Sequence, residues 1–240
     1  MEKIKIGYDH ADWLEGVKTP LYWDPLKTPH LLIAGLTGGG KTVSAQFIVY
    51  QILNDPTAHL SVCDFKADRD WDGIVERYGE YLGCDDVFDS FYDRFCNAIQ
   101  RKQRGNEYLL FDEVCSYALS KTTAEHTALM KKISHLAFMG RSFGYHLIFV
   151  SQQFNAKVID TAVREQFGIK IYMGSTISAE SLTMMYPHSL IDKNMHLQDH
   201  CGYVSLPGKD VVIIQMPFID DPALLKQLLI EKGSQRHKEI

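Results

Sequence analysis

Short apolar runs alternate along this chain with longer stretches of helical period, a pattern that predicts strands interleaved with helices and so an α/β fold with a mostly parallel sheet. The strand-like runs lie at 31–34, 60–63, 108–111, 146–150 and 169–173. Helical spacing follows most of them. Val43, Phe47, Ile48 and Ile52 define a helix over 41–53 that stops at Asn54, Asp55 and Pro56, while Leu129, Met130, Ile133, Leu136 and Ala137 define a second, over about 122–140. That second helix opens with Thr122 and Glu125 at capping-box spacing, and the GRSFG segment at 140–144 closes it. A short helix is expected around 158–166.

Two further strands, at 3–8 and 19–24, precede the first parallel strand, with Pro20, Pro25 and Pro29 between them and it, and these predict an edge or lid of the sheet. Between 68 and 104 the periodicity predicts helical patches at about 70–77 and 86–103 and a short strand at Tyr81 and Leu82. Phe88, Phe91, Tyr92, Phe95 and Ile99 form an aromatic stripe of helical period, which reads as core. Near the C-terminus, segments 202–204 and 211–215 predict a hairpin around Pro207, Gly208 and Lys209, followed by a helix over 221–232 and a polar tail over 233–240. Residues 1–232 are expected to form one domain.

The strand at 31–34 runs directly into Gly35, Leu36, Thr37, Gly38, Gly39, Gly40, Lys41 and Thr42, which fit G-x-x-x-x-G-K-[ST], the phosphate-binding P-loop. A strand that stops, turns tightly and starts a helix aims the helix's free backbone N–H groups at a single anion. Glycines let that backbone come close to the phosphate. Gly35, Thr37, Gly38, Gly39, Gly40, Lys41, Thr42 and Val43 are therefore the expected nucleotide-binding residues, with Lys41 on the β/γ-phosphates and the Thr42 hydroxyl on Mg²⁺.

The run Tyr108 to Phe111 delivers Asp112 and Glu113 to a strand end, as a Walker B segment does. Asp112 is expected to hold the Mg²⁺ shell and Glu113 to orient or deprotonate the attacking water. The strand at 146–150 ends in Ser151, Gln152 and Gln153, where an amide can sense the γ-phosphate, and Asp64 and Lys66 stand at a further strand end as additional candidates. His196, His200 and Cys201, with Asp192 and Asp199 nearby, contain two histidines four apart but complete no recognised metal spacing, and read as a solvated loop.

Composition narrows this picture slightly. The 240 residues carry 25 basic and 30 acidic side chains, so contact with nucleic acid would need a local basic surface such as Lys157, Arg164, Lys193 and Lys209. Those four read equally well as a solvated face. Five cysteines without C-x-x-C spacing suit a reducing compartment, and the absence of a signal-like N-terminus or an 18-residue apolar run leads to the expectation of a soluble, cytoplasmic chain.

Taken in order, HLLIAGLTGGGKTV (30–43), DFK (64–66), LFDE (110–113) and GRSFGYHLIFVSQ (140–152) resemble the FtsK/SpoIIIE family of DNA translocases within the HerA–FtsK group of P-loop motors. IKIY (169–172) and the closing segments at 202–204 and 214–220 extend the resemblance across residues 6–225. It implies a RecA-like core in a hexameric ring, with double-stranded DNA in the pore and ATP with Mg²⁺ hydrolysed between subunits. By position Gln152 is similar to the family's sensor, and Arg141 resembles an arginine that reaches a neighbour's γ-phosphate.

The chain also departs from the family. Its Thr-Gln-Arg is here Ser151-Gln152-Gln153, its Asp-Ser-Arg is Glu180-Ser181-Leu182, and about 70 residues separate the P-loop from Asp112. The short form resembles FtsK-like proteins of mobile elements, and the resemblance implies DNA transfer, replication or packaging. The alternative is an ATP-dependent docking module for a relaxase, replication protein or secretion channel. An ABC-type ATPase is disfavoured because no L-S-G-G-Q segment is present.

Overall fold

The computed structural model describes residues 2–75, 77–217 and 221–236. Ten strands form one sheet in the order β2-β1-β10-β9-β8-β3-β7-β6-β4-β5. Six of them run parallel: β3 (Leu31–Ala34), β4 (His59–Asp64), β5 (Arg77–Glu80), β6 (Glu107–Asp112), β7 (Tyr145–Ser151) and β8 (Ile169–Met173). The other four pair antiparallel beyond β8 and comprise β1 (Ile4–Asp9), β2 (Pro20–Trp23), β9 (Cys201–Ser205) and β10 (Val212–Gln215). The two ends of the chain thus meet in one antiparallel wing, with β2 as the sheet edge. Phe218, Ile219 and Asp220, the end of the segment matched to the family's closing hairpin, lie outside the described residues.

Both faces of the sheet are covered, as parallel strands require. On one face α2 (Lys41–Ile52) and α8 (Pro222–Arg236) pack over Leu31, Ile33, Val62, Leu110 and Ile148. On the other lie α3 (Cys84–Arg101), α4 (Val114–Leu119), α5 (Thr123–Phe143), α6 (Thr161–Arg164) and α7 (Ala179–Met185), which cover Leu32, Leu109, Phe111 and Phe149. A short α1 (His10–Leu14) follows β1. The capping box is formed, since Thr122 Oγ1 accepts from the Glu125 N–H and Glu125 Oε2 accepts from the Thr122 N–H. Gly144 closes α5 in the left-handed region.

Residues 70–74 form turns, not the helix expected at about 70–77, and β5 already begins at Arg77. Trp71 and Ile74 have helical spacing because both are buried from within the turn, and Gly73 at φ 76° breaks any helical path. The strand expected at 81–82 lies earlier, at Arg77–Glu80, and residues 81–83 form a 3₁₀ turn. The last helix continues past 232 to Arg236, with Leu225, Leu229 and Gly233 buried at four-residue spacing; 237–240, the remainder of the expected tail, lies outside the described residues.

His30, at the start of the P-loop strand, joins both layers. Its Nδ1 accepts the Leu147 N–H at 3.0 Å and its Nε2–H donates to the Ala137 carbonyl at 3.0 Å, so the ring is neutral and fixed in one tautomer. Complete burial, reinforced by His146, lowers its pKa to about 3.

The aromatic stripe on α3 is core as expected: Phe88, Phe91 and Phe95 are buried, with Tyr92 and Ile99 beside them. Phe95 contacts the rings of Tyr92, His135, Phe143 and Tyr145. Truncating it, Phe95→Ala, is expected to lower stability by roughly 3–5 kcal/mol. Urea unfolding should show an earlier midpoint, and an unchanged midpoint would remove this cluster from the core.

Candidate functional site: a P-loop beside a buried carboxylate pair

Strand register brings the candidate residues to one edge. Ala34 pairs with Ser151, and Asp112 with Val150 and Asp64, so β3, β7, β6 and β4 end together. Strands are spaced about 4.8 Å apart, which puts the P-loop strand and the carboxylate strand roughly 10 Å apart with β7 between them. A triphosphate bridges that gap.

The P-loop backbone is shaped as a cradle. Gly40 caps α2 in the left-handed region at φ 91° and supplies no side chain to the helix's first N–H groups, which stay available to an anion. From behind, the loop is held by the Met173 carbonyl at the end of β8. A Cβ on Gly35 would fall 2.1 Å from that oxygen, and one on Gly39 would fall 2.7 Å from it. Neither site tolerates a side chain, because a fixed backbone atom is the obstacle.

Lys41 Nζ donates to the Leu36 carbonyl at 3.2 Å, folding back over its own loop. Burial lowers its pKa, and the charges of Glu113 and Asp112 oppose that shift, so the ammonium lies within electrostatic reach of both carboxylates. Thr42 is half-buried on the first turn of α2, followed by the half-buried Val43; Thr37 and Gly38 are exposed in the loop.

Asp112 is buried at the tip of β6 and its Oδ2 accepts the indole N–H of Trp71 at 2.9 Å. Desolvation raises its pKa to about 6, the Trp71 hydrogen bond opposes the rise, and the charges of Glu113, Asp64 and Asp68 add to it. Glu113 alone joins β6 to α4, and this abrupt reversal holds it at φ 54°, ψ 42°, a region uncommon for a non-glycine residue. Its Oε2 accepts from Ser116 Oγ at 3.5 Å, within the first turn of α4.

Of the other candidates, Gln152 joins this edge. It is exposed just beyond β7, and its backbone carbonyl accepts the Gly35 N–H at 3.4 Å. Asp64 is buried there as well, but its Oδ1 accepts the Ala67 N–H, which shapes the loop that follows; Lys66 is paired with Asp68 at 2.7 Å. Arg141 is elsewhere. It is exposed on the last turn of α5, at the opposite end of β7, about 20 Å away for seven residues of strand. Arg164 is not a surface cation: it is buried, with Nη1 donating to the Phe154 carbonyl and Nη2 to Thr161 Oγ1.

Trp71 is the residue that periodicity misassigned. The sole local signal was a tryptophan set among four aspartates, Asp68, Asp70, Asp72 and the preceding Asp64, where no apolar face explains it.

The donor set suits Mg²⁺. Thr42 and Asp112 offer oxygen alone, as a hard cation prefers, and the crowded carboxylates around Asp112 carry negative charge that a divalent ion would offset. Among the described residues no group of three His, Cys, Asp or Glu side chains could hold a metal by itself. His196 and His200 are exposed in the segment before β9, as expected, whereas Cys201 is buried at the start of β9 and its Sγ donates to Gln215 Oε1 at 3.1 Å.

The α/β fold matches that of P-loop ATPases of known structure. The chain is 26% identical over 198 residues to the FtsK domain-containing protein YdcQ of Bacillus subtilis (strain 168), a match covering 72% of this chain and 41% of that protein. Its fold is similar to the pCW3 conjugation coupling protein TcpA in its monomer form with ATPγS (TM-score 0.72, 18% identity, 94% of this chain and 70% of that one). It is also similar to the cytoplasmic domain of the Thermomonospora curvata type VII secretion ATPase EccC (TM-score 0.70, 15% identity, 96% and 31%). No family model matches the chain. The resemblance to FtsK/SpoIIIE motor domains therefore holds in the fold and in a curated relative, of which this chain spans less than half.

The raised pKa of Asp112 has a sign that can be tested without nucleotide. A carboxyl that titrates near 6 when folded and near its ordinary value when unfolded favours the native state below about pH 4, and that advantage is lost as pH rises through 6. Asp112→Asn keeps an oxygen for Trp71 and removes the charge. In EDTA the variant should be more stable than the parent at pH 7.5, by roughly 1–3 kcal/mol, with the gap closing near pH 4. Urea unfolding at both pH values checks it, and a gap independent of pH would contradict the burial of a charged Asp112.

Proposed function

We propose that the chain is the ATPase unit of an FtsK/SpoIIIE-type motor that moves double-stranded DNA, with ATP hydrolysed between the subunits of a hexameric ring. The observation that carries this reading is the polarity of the site residues. The P-loop, Asp112, Glu113 and Gln152 share the C-terminal edge of the sheet, whereas Arg141 stands at the other end of the same strands. An arginine so placed cannot reach its own chain's nucleotide. It can reach a neighbour's if subunits meet head to tail, a heterologous contact that makes a ring when the rotation closes.

In this mechanism the P-loop N–H groups and Lys41 would hold the β- and γ-phosphates, and Thr42 and Asp112 would hold Mg²⁺, which would supply positive charge against the charge developing on the transferred phosphoryl group. Glu113 orients the attacking water and accepts its proton. Gln152, between the P-loop and Glu113, reports the γ-phosphate through its amide, and the neighbour's Arg141 adds charge stabilisation as the bond to the leaving phosphate breaks. Residues 1–232 and the rest of α8 would act as one motor domain in the cytoplasm. Among the described residues no helix is long and apolar enough to cross a membrane.

A second reading is favoured by the net charge of −5 and by Ser151-Gln152-Gln153 and Glu180-Ser181-Leu182, each of which lacks the arginine of the family's motif. In it, the ATP state governs docking to a relaxase, replication protein or secretion channel. ATP hydrolysis with and without linear duplex DNA separates the two. A motor should turn over faster on duplex and lose that stimulation as salt rises, because its contacts are mainly to phosphates; turnover indifferent to DNA would favour the docking switch.

Lys41→Ala should abolish nucleotide binding, whereas Glu113→Gln should keep binding and lose turnover by at least about a hundredfold, the scale of general-base catalysis. Equal loss of binding in both would sink the assignment of Glu113. Arg141→Ala should bind nucleotide normally and fail to hydrolyse it as an assembly. Mixing it with Glu113→Gln subunits should restore activity at those interfaces that pair an intact Glu113 with an intact Arg141; no recovery at any ratio would argue against an arginine supplied in trans.

A further inference from the structure

The segment between α7 and β9 passes beside the β9–β10 hairpin and encloses with it a cavity of about 490 Å³. That volume is in the range of sites that take a small ligand or a few side chains. Leu190, Ile191, Val211 and Ile213 give it apolar walls, and Leu190 is fully exposed. No P-loop residue lines it, so it is separate from the nucleotide cradle.

Tyr203 of β9 lines the same cavity. The residue is 3% exposed, yet its buried hydroxyl makes no hydrogen bond in the fold. Nearly all buried polar groups are partnered, so an unpartnered hydroxyl beside this cavity is an exception that leaves its hydrogen-bonding capacity unused. Asp192 and Asp210 also line the site, and Asp192 lies close enough for its charge, after burial itself, to raise the phenol pKa. The phenol is thus a neutral O–H whose oxygen can accept from a cation.

The aspartates decide the class of occupant. Two carboxylates repel a phosphate backbone and attract an ammonium or guanidinium, and the apolar walls call for an adjoining hydrocarbon group. Lys193 and Lys209 adjoin these residues in the sequence but do not line the cavity. The geometry points to a docking site for a partner protein that inserts an apolar side chain next to a lysine or arginine, the cation meeting Asp192, Asp210 and the Tyr203 hydroxyl. Leu190 packs over the inserted side chain.

The test uses the full chain and three acetylated, amidated hexapeptides that differ at two central positions: phenylalanine–arginine, phenylalanine–glutamate and serine–arginine. Methyl resonances of Ile191, Met195 and Ile213 are followed by NMR, with nucleotide binding measured in parallel to report an intact fold. The phenylalanine–arginine peptide should shift those methyls saturably, and the other two should bind about tenfold more weakly or worse, as expected for a lost charge-assisted contact or lost burial. Asp192→Asn with Asp210→Asn, Tyr203→Phe, and Leu190→Ser should each weaken the first peptide while leaving nucleotide binding unchanged. Equal binding of the glutamate peptide, or no saturable shift, would overturn the proposal. So would a duplex oligonucleotide shifting the same methyls, or concentration-dependent self-association that Leu190→Ser abolishes, which would assign the surface to a second copy of the chain.

Discussion

The candidate site depends on charges of opposite sign held partly out of water at the same edge of the sheet. Burial lowers the pKa of Lys41 and raises that of Asp112, so each pays for its place in solvation, and each is partly compensated by its surroundings. Neither compensation is complete. Lys41 rests on a loop carbonyl, and Asp112 has one indole N–H against three nearby carboxylates. In the proposed function a magnesium-bound triphosphate would supply what both lack, anionic oxygens for the lysine and a cation for the carboxylate. The strain of burying both charges is thus of the kind that a ligand carrying both signs of charge in that order would relieve.

Geometry makes that arrangement stiff. Met173 presses its carbonyl against the back of the P-loop, His30 pins the start of the same strand to α5 and β7, and Glu113 is turned by a single residue between strand and helix. All three constraints act through backbone atoms or fully buried groups. The P-loop and Glu113 are thus fixed to one rigid sheet, as the proposed catalysis by positioning and charge stabilisation would require. Gln152, by contrast, is exposed beyond the end of β7, and the arginine is absent from this edge altogether.

What was legible in the sequence was whatever rests on local order. The parallel strands, the P-loop, the carboxylates after Phe111 and the capping box at Thr122 each follow from contiguous residues whose period or chemistry is self-contained. Trp71 was illegible because its role lies in a contact with Asp112, 41 residues away, and its spacing from Ile74 imitates a helix that Gly73 forbids. The Met173 carbonyl was illegible for a different reason: a backbone oxygen has no residue signature. Arg164 looked like a surface cation because charge is usually exposed, whereas here two neighbouring acceptors, the Phe154 carbonyl and Thr161 Oγ1, compensate its burial.

The direction of the parallel strands carries the argument from one chain to an assembly. Six strands pointing the same way give the sheet unlike ends, one rich in phosphate-binding and acidic groups and the other bearing Arg141. Two copies meeting through like ends would bring acid to acid and leave the arginines unused. Copies meeting through unlike ends place each arginine beside a neighbour's acidic edge, an electrostatically favourable order that repeats from subunit to subunit. In the proposed ring, the polarity that keeps Arg141 away from its own chain's P-loop is the same polarity that would bring it to a neighbour's.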